Sequence, residues 1–247
     1  MLDLISNQKI SMPKAIIFDT DNTLYSYEPA HKAAIKSVAI KVKELFGINE
    51  IDFMGAYKTS RTEIKECLEN TASSHSRLLY FQKTIERLDM GTRILTTLDL
   101  EQTYWRTFLA NAMLFPGVKE FLQQLQNNGV KTANITDLTA QIQFRKMVYF
   151  GLDEYFDYVV TSEESGCDKP DIRPFKMALN KLKIGPENVW MIGDSPESDI
   201  YGAKTHFKMM TLQKIHKGVK VGIEQFSPDI SFNHYSELIK LIKNLPE

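Results

Sequence analysis

Two aspartates, Asp19 and Asp21, directly follow the short apolar run Ala15–Phe18. A run of this length, with β-branched residues and phenylalanine, is typical of a strand that is buried on both faces. Two carboxylates so close together repel each other unless a cation or a shared proton lies between them. Because open α/β sheets bind ligands at the carboxyl ends of their strands, this pair indicates a site that holds a cation and acts on something.

Polar side chains also follow the other predicted strands. They are Thr136 and Asp137 after the strand 130–135, Lys169 in the loop after the strand 155–161, and Asp194 and Ser195 after the strand 188–192, with Asp199 shortly beyond. Any one of them could be an ordinary loop residue. If the strands are parallel neighbours, however, all of these side chains collect at one edge of the sheet.

Their chemistry suits phosphoryl transfer. Carboxylates from separate strands, Asp19 and Asp194, can hold Mg²⁺, which prefers oxygen ligands and offsets the negative charge of a phosphate. Lys169 and the hydroxyl of Thr136 can bind phosphate oxygens. One aspartate can attack phosphorus, and an acid two residues along can give a proton to the leaving oxygen.

The strand ends carry short motifs in a fixed order. The first is Asp19–Thr23 (D-T-D-N-T), and the second is Thr136 at the end of an apolar strand. The third is Lys169–Pro170, and the fourth is Gly193–Asp199 (G-D-S-P-E-S-D), whose second acid lies one position later than in G-D-x-x-x-D. This series spans about residues 14–212 and resembles the motifs of the haloacid dehalogenase (HAD) superfamily of hydrolases.

The resemblance implies a role for each motif residue. Asp19 would be the nucleophile that forms an aspartyl-phosphate, and Asp21 would be the general acid/base, with its backbone carbonyl as a metal ligand. Asp194 would complete the Mg²⁺ ligands. Phosphate binding would fall to Thr136, Asp137 and Lys169, and the supporting residues would be Ser195 and Asp199, the latter supporting the metal site or orienting Lys169.

Two positions refine this interpretation. Asp21 favours a phosphatase or phosphomutase over a dehalogenase, because a leaving alkoxide needs a proton and a halide does not. Asp137 stands where phosphatases of this type often have asparagine. A carboxylate beside a bound phosphate would be repelled, so we expect the side chain of Asp137 to face away and its backbone N–H to make the useful contact.

The chain also shows a clear division into segments. Residues 25–112 contain helical patterns at about 29–46, 52–69, 75–89 and 98–112, without a convincing strand. The position of this segment resembles that of the helical cap domain, which selects the substrate. Arg77, just after a polar break, is the cap residue that we favour for contact with an anionic substrate.

Residues 1–24 and 113–247 are predicted to form the α/β catalytic core. Helix and strand patterns alternate there, which predicts a Rossmann-like parallel sheet with helices on both faces. The first residues, 1–13, have little pattern and are expected to form a loosely held arm.

Composition excludes several classes of partner. The formal net charge of -1 gives no basic field for nucleic acid. No apolar run approaches the roughly 18 residues of a membrane span, and the N-terminus does not resemble a secretory signal, so we predict a cytoplasmic protein. The two cysteines, Cys67 and Cys167, have no metal-like spacing and are expected to be free thiols.

We therefore expect a Mg²⁺-dependent phosphatase that acts on a small phosphorylated metabolite, such as a nucleotide or a sugar phosphate. Two alternatives stay open. One is a sugar phosphomutase on the same scaffold, and the other is a non-catalytic module that binds Mg²⁺ or phosphate. No motif in the sequence indicates the particular substrate or the oligomeric state.

Overall fold

Seven strands form one sheet in the part of the chain that the computed structural model describes, residues 3–4 and 10–245. The strands are β1 (Asp3–Leu4), β2 (Ala15–Phe18), β3 (Lys131–Thr136), β4 (Tyr158–Thr161), β5 (Val189–Gly193), β6 (Met210–Lys214) and β7 (Ile230–Phe232). Their order across the sheet is β1-β7-β6-β5-β2-β3-β4, and every neighbouring pair is parallel except β1 with β7. The predicted parallel sheet is confirmed.

Strand β2 lies between β3 and β5. Phe18 is paired with Asn134 of β3 on one side and with Ile192 of β5 on the other. All four residues of β2 are buried, as expected for a strand that is covered on both faces. The loop that begins at Asp19 therefore starts between the carboxyl ends of the two neighbouring strands.

Helices cover both faces of this sheet. The α-helices of the described residues are α1 (Tyr27–Phe46), α2 (Glu50–Leu68), α3 (Arg77–Arg87), α4 (Ile94–Asn111), α5 (Val118–Asn127), α6 (Ala140–Phe150), α7 (Ser162–Ser165), α8 (Ile172–Leu182), α9 (Tyr201–Phe207) and α10 (Tyr235–Asn244). Ile17 belongs to a buried cluster with Phe175 of α8. Phe18, which points to the opposite face, packs edge-on against Phe121 of α5, and Phe121 contacts Tyr235 of α10.

The described residues divide into two units by their contacts. One unit is Tyr27–Ala112, which contains α1 to α4 and no described residue in a strand. The other unit contains the sheet and the helices from α5 onwards. Within the helical unit, α1 packs against α4 and α2 against α3. Ala34, Val38 and Val42 are buried along α1, as their three-to-four-residue spacing predicts.

Some predicted boundaries differ from the observed ones. The strand predicted at 155–161 begins only at Tyr158, because the carboxylate of Asp157 binds the backbone N–H of Thr132 at 2.7 Å. Strand β7 was not predicted, since three residues are too few to show a period. The expectation of a loosely held arm is wrong for β1, which pairs with β7; residues 1–2 and 5–9 of that arm lie outside the described residues.

Two smaller expectations can be compared with the described residues. Cys67 is exposed on α2 and Cys167 is buried after α7, and both are free thiols, as predicted. No helix among the described residues is long and apolar enough to cross a membrane.

Candidate active site

Two hydrogen bonds hold the side chain of Asp19 at the carboxyl end of β2. Lys169 Nζ donates to Oδ1 at 2.6 Å, and Thr23 Oγ1 donates to Oδ2 at 2.8 Å. The backbone N–H of Asp19 donates to Ile192 O of β5 at 2.9 Å, which fixes the chain as it leaves the strand. Burial raises the pKa of the Asp19 carboxyl, although the Lys169 ammonium acts in the opposite direction. The carboxylate therefore has a fixed position and depends on nearby positive charge.

Lys169 joins the first and fourth motifs. Its Nζ lies 2.6 Å from Asp19 Oδ1, 2.8 Å from Asp199 Oδ1 and 3.1 Å from the backbone oxygen of Ile135. Burial disfavours the ammonium form, but the negative charges of Asp19, Asp199 and Asp137 outweigh this effect and hold the pKa of Lys169 well above its usual value. Lys169 is thus a fully charged group at the end of β2, able to bind a second anion there.

Three carboxylates gather at the ends of β2 and β5. One oxygen from each of Asp19, Asp194 and Asp199 lies within 4.8 Å of the other two. Burial raises the pKa of Asp199 to about 8, and it raises the pKa of Asp194, where the charge of Asp19 adds to the effect. A divalent cation would offset this repulsion, and carboxylate oxygens are ligands that Mg²⁺ prefers. The residues present fit Mg²⁺, with Asp199 beside the predicted ligands Asp19 and Asp194.

The turn after β5 brings Asp199 back over Gly193. Asp199 Oδ2 accepts the backbone N–H of Ser195 at 3.1 Å. The residues Pro196–Ile200 form a π turn in which Ser195 O accepts the N–H of Ile200 at 3.2 Å. Because a π turn takes one residue more than an α turn, it accommodates the extra residue in this motif and keeps Asp199 at the site.

The side chain of Asp21 turns towards α6 rather than towards the other acids. Lys146 Nζ donates to both of its oxygens, at 2.7 and 3.0 Å, and Tyr25 OH donates to Oδ1 at 2.6 Å. The carboxyl is 36% exposed, whereas the Lys146 side chain is 1% exposed. The metal role predicted for Asp21 uses its backbone carbonyl and stays a prediction.

Thr136 and Asp137 follow one another at the end of β3. Thr136 is buried, and its Oγ1 lies 3.5 Å from the backbone oxygen of Asp137. Asp137 Oδ1 accepts the hydroxyl of Ser162 at 3.1 Å and the backbone N–H of Lys169 at 3.1 Å. The carboxylate of Asp137 therefore anchors the loop that carries Lys169.

Buried residues outside the motifs support the loop after β2. Asn134 Nδ2 donates to Phe18 O at 3.1 Å, while its Oδ1 accepts the hydroxyl of Thr20 at 3.0 Å. Tyr235 OH of α10 donates to Thr23 O at 2.9 Å. These bonds satisfy polar groups that would be costly to bury alone, and they fix the loop that carries Asp19.

Sequence reasoning missed Asn134, Lys146 and Tyr235. Two of them could have been recognised in the sequence. Asn134 is an amide inside an apolar strand. Lys146 lies four residues from both Ile142 and Phe150, on the buried face of α6. The role of Tyr235 could not have been recognised in the sequence, because its hydrogen-bond partner is more than two hundred residues away.

Arg77, the candidate for substrate contact, lies in the helical unit at the start of α3. It is buried, with its guanidinium 5.4 to 5.5 Å from the ring centroids of Tyr80, Tyr104 and Trp105. Its Nη2 donates to Tyr27 OH at 2.5 Å, and its Nε has no hydrogen-bond partner among the described residues.

The positive charge of Arg77 also affects the protonation of His31 in the helical unit. Burial, together with the positive charge of Arg77, lowers the pKa of His31 to about 4, so this imidazole is neutral at pH 7. No carboxylate of the described residues lies within 4.0 Å of the Arg77 guanidinium. The aromatic faces, the hydroxyl of Tyr27 and the backbone oxygen of His75 therefore compensate this buried cation.

Comparisons with known proteins agree with this geometry. A family model described as haloacid dehalogenase-like hydrolase matches residues 13–206. The chain is 38% identical to a ribulose-1,5-bisphosphate 5-phosphatase of Halopiger xanaduensis over 78% of this chain and 81% of that one. It is 30% identical to a glyceraldehyde 3-phosphate phosphatase of Methanocaldococcus jannaschii over 95% of this chain and 99% of that one.

Solved structures share the same fold. One is the HAD-hydrolase YfnB of Bacillus subtilis in a magnesium-bound crystal structure, with a TM-score of 0.67, 20% identity, and coverage of 92% of this chain and 97% of that one. The family model matches well over half of the chain, and one relative is 38% identical over 81% of its own length. The chain belongs to the haloacid dehalogenase-like hydrolases.

Proposed function

We propose that this hydrolase is a Mg²⁺-dependent phosphatase that releases phosphate from a small phosphorylated metabolite through an aspartyl-phosphate on Asp19. The observation that carries this proposal is the charged, buried Lys169, which lies 2.6 Å from the Asp19 carboxylate among three clustered acids. This arrangement supports a reaction in which Asp19 is the nucleophile, Lys169 binds phosphate oxygens and the clustered acids hold Mg²⁺.

The reaction takes two steps at phosphorus. In the first, a carboxylate oxygen of Asp19 forms a bond to phosphorus, the ester P–O bond breaks, and Asp21 gives a proton to the leaving oxygen. In the second, Asp21 takes a proton from a water molecule, whose oxygen attacks the aspartyl-phosphate and releases inorganic phosphate. When bound, Mg²⁺ supplies positive charge that offsets the phosphate charge.

Phosphate oxygens are bound by residues of the second and third motifs. Lys169 contributes its ammonium, and Thr136 contributes its hydroxyl at the end of the neighbouring strand. The side chain of Asp137 is engaged by Ser162 and by the backbone of Lys169, which supports the expectation that its carboxylate faces away from phosphate. Ser195 and Asp199 support the acid cluster from the turn after β5.

The substrate is a phosphorylated carbohydrate or a similarly small metabolite. The two relatives named above act on ribulose 1,5-bisphosphate and on glyceraldehyde 3-phosphate, according to their names. Residues 25–112 act as the cap that selects the substrate, and Arg77 is its candidate contact for an anionic group. A buried arginine without a carboxylate partner, and with an unpartnered Nε, is a group that an anion would stabilise.

A phosphate-release screen tests the proposal. The purified chain is offered a panel of sugar phosphates, nucleotides and phosphorylated acids, with Mg²⁺ and with a chelator. We expect Mg²⁺-dependent release from a small number of these esters. Isomerisation of a sugar 1-phosphate without release would instead establish the phosphomutase, and inertness towards the whole panel would favour a non-catalytic module.

A further inference from the structure

A buried lysine outside the four motifs contacts the proposed acid/base. Lys146 is on α6, and its ammonium donates to Asp21 Oδ1 at 2.7 Å and to Oδ2 at 3.0 Å. The Lys146 side chain is 1% exposed, whereas the Asp21 carboxyl is 36% exposed. The buried lysine therefore holds a carboxyl group that is itself partly exposed.

A second donor acts on the same carboxyl. Tyr25, which is fully buried, donates its hydroxyl hydrogen to Asp21 Oδ1 at 2.6 Å. The ammonium of Lys146 also lies 5.7 Å from the centroid of the Tyr25 ring, within cation–π range. Both oxygens of Asp21 thus have a donor, and rotation of the carboxyl about its χ angles would break at least one of these bonds.

The position of Lys146 needs an explanation beyond packing. The same face of α6 buries Ile142, Met147 and Phe150, so an apolar residue would fit the pattern. A buried ion pair is often no more stabilising than well-packed apolar residues of similar volume. Stability alone therefore gives little reason for a lysine here, whereas its contact with Asp21 does.

We propose that Lys146 is a positioning residue for the proton-transfer step. With Tyr25, it keeps the Asp21 carboxyl in the single orientation from which a proton passes to the leaving oxygen and is later taken from water. This inference rests on the proposed phosphatase reaction and adds no bond-making step of its own. It assigns a function to a side chain that none of the four motifs includes.

The dependence on the leaving group separates this role from a structural one. An alkyl or sugar alkoxide needs a proton as it leaves, whereas p-nitrophenolate is stable without one. For Lys146→Met we expect kcat/KM to fall about 10- to 100-fold with an alkyl or sugar phosphate, which is part of the roughly 10²- to 10⁴-fold that a positioned acid contributes. With p-nitrophenyl phosphate we expect kcat/KM to change by less than about threefold, because that parameter covers only the steps through the first P–O cleavage.

Three further variants make the test specific. Lys146→Arg, which keeps a cation, should recover part of the lost activity. In an Asp21→Asn background, Lys146→Met should cause no further loss, because residues that act through one another are not additive. The matched control is Lys204→Met, which removes a lysine of the same unit that pairs with Asp229 at 3.0 Å, away from Asp21; it should leave both substrates unaffected.

The outcomes are distinguishable. Equal losses on both substrates, or losses that add to those of Asp21→Asn, would overturn the positioning role and leave a structural one. Unchanged kinetics of a folded Lys146→Met would overturn it as well. If the wild-type chain hydrolyses no phosphate ester, the proposed function fails, and this inference fails with it.

Discussion

Asp199 occupies the space that a side chain on Gly193 would need. A Cβ atom at residue 193 would lie 2.2 Å from Asp199 Oδ2 and 2.4 Å from Asp199 Cβ. Because real Cβ atoms do not approach other atoms so closely, the glycine at the end of β5 is what allows Asp199 to reach Lys169, at 2.8 Å. Gly193 and Asp199 of the fourth motif are therefore both required for the contact with Lys169.

Gly193→Ala is expected to lower both stability and activity. Asp199 would have to move, which costs about 1–3 kcal/mol as an overpacked site and breaks its contact with Lys169. Thermal unfolding and phosphate release would measure the two effects. The control is Gly55→Ala, in α2, where a Cβ meets nothing within 4 Å; it should raise the free energy of unfolding by roughly 0.5–1 kcal/mol. Equal stability of Gly193→Ala and the wild type would contradict the packing argument.

Asp19→Asn is expected to abolish turnover, because an amide cannot form the aspartyl-phosphate. Loss of a catalytic nucleophile costs about 10⁴-fold or more in kcat, and hydrolysis of p-nitrophenyl phosphate would measure it. Asp171→Asn is the matched control, since the carboxylate of Asp171 binds the exposed Arg173 at 3.0 Å and lies outside the acid cluster. Wild-type rates of hydrolysis by Asp19→Asn would contradict a mechanism in which Asp19 is the nucleophile.

The sequence was sufficient to predict the five strands β2 to β6 and the polar residues that follow them. Buried strands such as β2 are short apolar runs. Asp19 stands where one such run ends, and Lys169 lies in the loop region that follows another, so local pattern and parallel strand order together predict that they meet. The resemblance to the four family motifs added the roles that we predict for these residues. Local pattern was also sufficient for the helices of residues 27–112, whose apolar spacing is regular.

The parts that could not be predicted depend on long-range partners. Asp21 and Lys146 are separated by more than one hundred residues, and only the packing of α6 on the loop after β2 brings them together. The extra residue of the fourth motif was evident from the sequence, but the π turn at Pro196–Ile200 that accommodates it is evident only from the hydrogen bonds. The substrate could not be predicted either, because residues 25–112, which we propose select it, contain no recognisable motif.

Mg²⁺ binding is expected to release protons and to strengthen as the pH rises from about 6 to 8. Burial raises the pKa of Asp199 to about 8 and also raises those of Asp19 and Asp194, so the metal-free cluster retains a proton near neutral pH. A cation favours the ionised carboxylates, and the proton must leave as it binds. Calorimetric titration in buffers of different ionisation enthalpy would count the protons released. Binding that is independent of buffer and pH would contradict these shifts.

The same raised pKa has a consequence for stability without metal. A carboxyl whose pKa is about 8 in the folded chain and near its ordinary value when unfolded binds its proton more tightly in the folded state. The stabilisation that comes from this tighter proton binding is complete below the pKa of the carboxyl in the unfolded chain. It is lost as the pH rises through about 8, the pKa in the folded chain. In the presence of a chelator, the melting temperature of the wild type should fall across this window, and that of Asp199→Asn, which cannot titrate, should fall less. An equal decline in both would assign the pH dependence to other groups.

Arg77→Met is expected to affect substrates that carry a second acidic group. Loss of a hydrogen bond to a charged group costs about 1.5–3 kcal/mol, which would raise KM roughly 10- to 100-fold for a sugar bisphosphate and leave KM for p-nitrophenyl phosphate nearly unchanged. Arg106→Met, which removes an exposed arginine of α4, is the matched control and should alter neither KM. Because Arg77 also contacts Tyr27 and three aromatic rings, its removal should lower the melting temperature too. A lower melting temperature with both KM values unchanged would assign Arg77 to the core of the helical unit alone.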